Sequence, residues 1–123
     1  MFPEMTRDEL LAALDAEREA LLALMPRYDE QRWRAPVRAD GWSPHDIACH
    51  LADSTYGLAL MALGEIPPAG PLNERGWMDV DDLNEQRRQR NDTLPREKVQ
   101  SRMTSAFAHA RRGACVARGR ACR

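Results

Sequence analysis

Lysine is nearly missing from this chain: Lys98 is the only one among 18 basic residues. We read that bias as a trace of GC-rich coding that carries little mechanism. Charge of one sign is missing too. The 18 basic and 19 acidic residues leave a formal net charge of −1, so no whole-chain field draws the protein to nucleic acid or to an acidic membrane. Long hydrophobic runs are absent, and the longest apolar stretch, around Leu58–Leu63, is far too short to span a bilayer. The amino terminus, Met1-Phe2-Pro3-Glu4-Met5, lacks a basic region followed by an apolar run, so no secretion signal is expected. Three cysteines, Cys49, Cys115 and Cys122, fit neither a disulfide framework nor zinc-type spacing. A reduced, cytoplasmic setting is the expectation. No strand-like alternation occurs, which leaves an all-α chain of one domain with a modest core.

Helix signals are plentiful. Thr6-Arg7-Asp8-Glu9 is a capping box, with Met5 and Leu10 placed as its hydrophobic staple. The helix it opens carries Leu10, Leu14, Leu21 and Met25 near one face, with Leu11 and Leu22 alongside, and ends at Pro26. Glu17 and Arg18 interrupt this stripe. Either their stems lie along apolar surface with the charges in water, or they stand at the mouth of an internal polar site. Residues 26–42 form a connector. A second long helix is expected from Pro44 to about Leu63, with Ile47, Leu51, Leu58 and Met61 as its apolar line. Residues 64–78 are a loop by composition. Asp79 to Arg90 suits a short, charged helix and Asn91-Asp92 a turn. Thr93 is placed to cap a third long helix, with Val99, Met103, Phe107 and Ala110 at helical spacing. Beyond Ala110 the material changes: residues 111–123 hold five arginines and no acids. Such a segment is either a basic phosphate-binding arm or, as the better fit, a disordered product of a frameshifted or prematurely ended reading frame.

The most strongly determined segment is Gly41 to Asp53, GWSPHDIACHLAD. Ser43 reads as N-cap, Pro44 as the first helical residue and Asp46 as a carboxylate over the free amides. Trp42 and Ile47 occupy the staple positions. This register places His50 beside the apolar line, in a row with Ser54, Gly57 and Met61, where the small residues leave room next to the ring. A histidine there is either a hydrogen-bonded structural group or a metal ligand, and spacing leaves both open. Asp53 is close enough to orient the ring or is simply solvated. Cys49, about 100° around the helix, reads as a small packed residue. His45 is expected to face solvent.

The same segment resembles the second-helix signature of the DinB-like superfamily and, more narrowly, the metal-binding domain of mycothiol-dependent maleylpyruvate isomerases. The resemblance extends through Leu10–Met25, the Tyr28–Trp33 segment, and Asn84-Glu85-Gln86-Arg87 to Val99. It implies an up-and-down four-helix bundle over residues 1–110, followed by a tail over 111–123. It also implies that His50 is one of three protein ligands to a divalent metal, most simply zinc. The other two would come from a Glu-x-x-x-His pair on a fourth helix, leaving an open position for water or the thiol of mycothiol. A thiolate formed there would add to the cis double bond of a small-molecule substrate, allow rotation, and leave from the trans isomer. After Ala110 no such pair follows. His109 is a candidate replacement, but Ser105 stands four positions before it. The expectation is therefore a carboxy-terminally truncated, inactive isomerase-like domain whose fourth helix is missing or replaced by the arginine-rich tail. The alternative is a metal-free helical module that forms a homodimer or binds a partner through its uncovered apolar faces. Neither reading calls for a nucleic acid or a membrane.

Overall fold

In the computed structural model, which describes residues 4–65, 74–75 and 79–116, capping chemistry starts most of the helices. Thr6 accepts the Glu9 amide and opens α1, Arg7–Leu24. A 3-10 turn, Met25–Arg27, follows, and Asp29 caps the short α2, Glu30–Arg34. Helix α3, Pro44–Ala62, begins with the expected Ser43–Asp46 box, both halves formed. It ends on Gly64 at φ +73°, where the Gly64 and Glu65 amides fold back on the carbonyls of Met61 and Leu60. That is a Schellman close, and only glycine takes such a φ without strain. Asp79 caps α4, Val80–Arg90. Helix α5 covers Arg96–Val116. It begins at Pro95 and not at Thr93, with the Pro95 carbonyl receiving the Lys98 and Val99 amides. The proline ring keeps Leu94 out of helical conformation. Among the described residues, no helix is long and apolar enough to cross a membrane.

Two parallel helices form the centre. Val99 and Met103 near the start of α5 share a core with Ala48, Cys49 and Ala52 near the start of α3. Gly113 near the end of α5 meets Ala59 and Ala62 near the end of α3. Helix α1 runs the opposite way along α5. Arg96, at the start of α5, donates to the Met25 and Tyr28 carbonyls, while Arg111 pairs with Asp15 at 2.7 Å. The up-and-down order expected from the resemblance is thus corrected to up-down-down. The connection from Gly64 to Pro95 permits this, because it is long enough to return along a helix of 19 residues, about 28 Å. Helix α4 lies within that return.

Helix α3 turns a different face inward from the one its large side chains mark. Ala48, Cys49, Ala52 and Ala59 are buried, whereas Leu51 is 37% and Leu58 63% exposed. Close approach explains the reversal: small side chains let α5 lie tightly on α3, and a Cβ built at Gly113 would sit 3.3 Å from that of Ala62. In α1, similarly, Leu11 is buried, whereas Leu10 and Met5, the first expected staple pair, are exposed. Helix α5 also continues past Ala110 to Val116 with Gly113 and Cys115 buried, because the tight contact with α3 extends there. Residues 117–123 of the expected tail, and 66–73 and 76–78 of the expected loop, lie outside the described residues. Cys49 is buried and free.

Gly113→Leu should force α3 and α5 apart and cost about 1–3 kcal/mol in urea denaturation. An unchanged midpoint would show that the two helices do not meet closely there.

Candidate functional site

The start of α3 builds a buried polar centre around His45. Second in the helix and expected to face solvent, this histidine is 1% exposed. Its Nε2 lies 2.9 Å from the Asn91 carbonyl and must therefore carry the proton and donate. The Trp33 ring stands edge-on to it at 5.8 Å between centroids, and Nδ1 is buried without a hydrogen-bond partner among the described residues. Asn91 gathers three elements. Its carbonyl also receives the Leu94 amide, its Nδ2 donates to Asp53 at 2.8 Å, and its Oδ1 accepts from Arg102 at 2.9 Å. The end of α4 is thereby tied to both α3 and α5.

His50 sits one turn further along, half-buried, with Ser54 Oγ 3.4 Å from its Nδ1. The Trp42 ring packs edge-on at 5.5 Å, itself covered on another side by the Arg38 guanidinium. Burial first, then the positive charge of Arg87, hold the His50 pKa below its ordinary 6.5, against an opposing pull from Asp53. The ring is therefore neutral at pH 7. The space between it and α4 is about 10 Å³, lined among others by Trp42, Asp53, Asn84 and Arg87. That is room for one water at most.

The other candidate residues are committed elsewhere. Asp53 turns to Asn91 and, at 3.8 Å, to Arg102, and among the described residues it makes no hydrogen bond to His50. Burial, reinforced by Asp53, pushes the Cys49 thiol up to about 12, which keeps it protonated and neither a ligand nor a nucleophile at neutral pH. His109 donates from Nδ1 to the Ser105 carbonyl at 2.8 Å and packs edge-on to Tyr56, a position about 120° around α3 from His50. Arg18 pairs with Asp15 and Glu19 of its own helix. Among the described residues, no three His, Cys, Asp or Glu side chains come together to hold a metal. A dication at His50 would find one nitrogen and the repulsion of nearby arginines. The donor set among the described residues therefore does not fit zinc or a zinc-bound thiol.

Sequence reasoning missed the residues that matter most here. Asn91 reads only as part of a turn, and nothing in the local sequence marks Arg96. Arg96 in fact donates to the Tyr28 carbonyl at 2.6 Å, pairs with Glu30 at 3.1 Å and lies over the Trp33 ring at 4.6 Å. No local signal separates such residues from solvated ones, because their side-chain partners lie between 11 and 71 residues away.

A family model described as the DinB superfamily matches residues 13–97, more than half of the chain. No curated protein and no solved structure matches it.

Two outcomes test this site. Asn91→Ala leaves Asp53 without its donor and Arg102 without its acceptor, and should cost about 2 kcal/mol in chemical denaturation. A loss within ~0.5 kcal/mol would show that the side chain is not a tie. Because His50 takes up its proton less readily when folded, the unfolded chain binds more protons as pH falls below 6.5. The corresponding stability is fully present above that value, is lost through the depressed folded pKa, and then levels off. Melting curves between about pH 7 and pH 5 should accordingly fall less steeply for His50→Asn than for the parent chain.

Proposed function

The chain belongs to the DinB superfamily, and we propose that it works there as a metal-free helical module that pairs with a second copy of itself. The observation that carries this reading is the apolar groove between α1 and α3. It has a volume of about 140 Å³ and includes Leu21, Leu24, Val37, Ile47 and Leu51, with Met103 behind them. Leu24 and Val37 are 44% and 58% exposed. Leu58, seven residues beyond Leu51, extends the same face of α3. Covering each such side chain contributes roughly 1.5–3 kcal/mol at most, so a few of them suffice for association once its entropic cost is met. Among the described residues, no charged side chain lines the groove. A second copy laid on it by a two-fold axis would thus meet an apolar surface with no like charges opposed.

The isomerase reading of the same superfamily draws support from His50 alone. A neutral imidazole on a rigidly started helix is a competent ligand, but zinc and mycothiol would require two further donor groups from outside the described residues.

Sedimentation velocity over a concentration series decides between these. The parent chain should shift from monomer to dimer, and Leu51→Glu with Leu58→Glu should hold it monomeric with its helical circular dichroism intact. A parent chain monomeric at every concentration would overturn the pairing. Equimolar zinc should leave the melting temperature unchanged; a rise of several degrees, the mark of a ligand held by the folded state, would favour the isomerase reading.

A further inference from the structure

On the side of α3 turned away from the apolar groove, α3, α4 and α5 enclose a cleft of about 340 Å³, with Asp53, Tyr56, Arg87, Arg90 and Arg102 on its walls. Tyr56 lies about 160° around the helix from Leu58, so the cleft and the groove do not compete. A second cavity, about 270 Å³, adjoins it past Ser105 and shares Asp53, Tyr56 and Arg102.

The charges in the cleft are unbalanced. Three guanidiniums face one carboxylate. That carboxylate, Asp53, is engaged by Asn91 Nδ2 and by Arg102. Arg88, between Arg87 and Arg90 in sequence, is held by Glu85, whereas neither Arg87 nor Arg90 makes an ion pair or side-chain hydrogen bond among the described residues. Spaced three apart, they project from the same face of α4 toward Arg102 on α5. Planar forks of this kind match the oxygens of a phosphate or carboxylate.

Gly57 supplies an independent observation. A glycine in the middle of a helix costs about 1 kcal/mol relative to alanine, and packing gives no return for it here. A Cβ built at Gly57 meets nothing within 4 Å, and its φ lies outside the left-handed region. What the missing side chain does is open the cleft, which Gly57 lines. Next to it stands the Tyr56 ring, 41% exposed and braced edge-on by His109 at 4.9 Å. We infer that this cleft binds a small organic oxyanion, its phosphate or carboxylate head between Arg87, Arg90 and Arg102 and its planar body against Tyr56 over Gly57.

Titration of the full chain with phenyl phosphate, benzoate and inorganic phosphate, followed by amide chemical shifts, tests the inference. Saturable shifts are expected at Tyr56, Gly57 and Asn91, with phenyl phosphate or benzoate binding more tightly than inorganic phosphate. Whichever organic anion binds more tightly identifies the head group. Gly57→Leu fills the cleft and should weaken binding by about tenfold or more while leaving the melting temperature equal or higher. Arg87→Gln with Arg90→Gln should weaken it similarly. Absence of saturation, shifts centred elsewhere, or a Gly57→Leu variant that binds within about twofold of the parent would overturn the inference. In that last case the arginines at the end of α4 serve only to offset its dipole.

Discussion

The Asn91 carbonyl accepts the His45 ring proton at 2.9 Å in a place from which water is excluded, and the arrangement of helices around it depends on that contact. An imidazole N–H inside a helical core is costly unless an acceptor meets it. Meeting this one requires the end of α4 to lie against the start of α3. The Asn91 side chain then carries the constraint outward, to Asp53 on α3 and Arg102 on α5. Arg34 adds a brace from α2 by donating to the carbonyls of Asp92 and Leu94. One short turn thus holds four helices in register. With α4 held there, Arg87 and Arg90 are brought opposite Arg102.

Helix α3 presents three different sides. Its small residues admit α5, Leu51 and Leu58 remain exposed, and its third side faces α4 across His50 and the cationic cleft. A helix packed on one neighbour by alanine and glycine contacts gains closeness at the expense of covering its larger side chains. The uncovered leucines follow from that choice, and they support association with another surface. His50 lies between these regions. It is neutral, packed edge-on against Trp42 and faced by arginines, and its surroundings favour a structural or single-ligand role over a complete coordination sphere.

Much of the local architecture was legible from the residues. The Ser43–Asp46 box, the Thr6 cap, the α3 boundaries and the charged α4 all follow from side chains bonding to amides three positions away. DinB-like character was legible for the same reason, since its signature is largely a helix start. Burial was less legible. The large apolar residues of α3 pointed to Leu51 and Leu58 as core, yet Ala48, Ala52 and Ala59 took that place, because a hydrophobicity pattern does not register how closely a neighbouring helix can come. His45 was misplaced because the partner that makes its burial tolerable lies 46 residues away.

By itself, then, the sequence determined that the chain is helical, where most of its helices start and stop, and which superfamily it belongs to. These are matters of hydrogen bonds and dihedral preferences within a turn or two. Only the tertiary structure decided that α3 and α5 run parallel, that His45 and not His50 is the buried histidine, and that three arginines converge on one cleft. Each of those outcomes rests on the meeting of groups far apart along the chain, where packing distance and desolvation choose among arrangements that local preferences leave equally open.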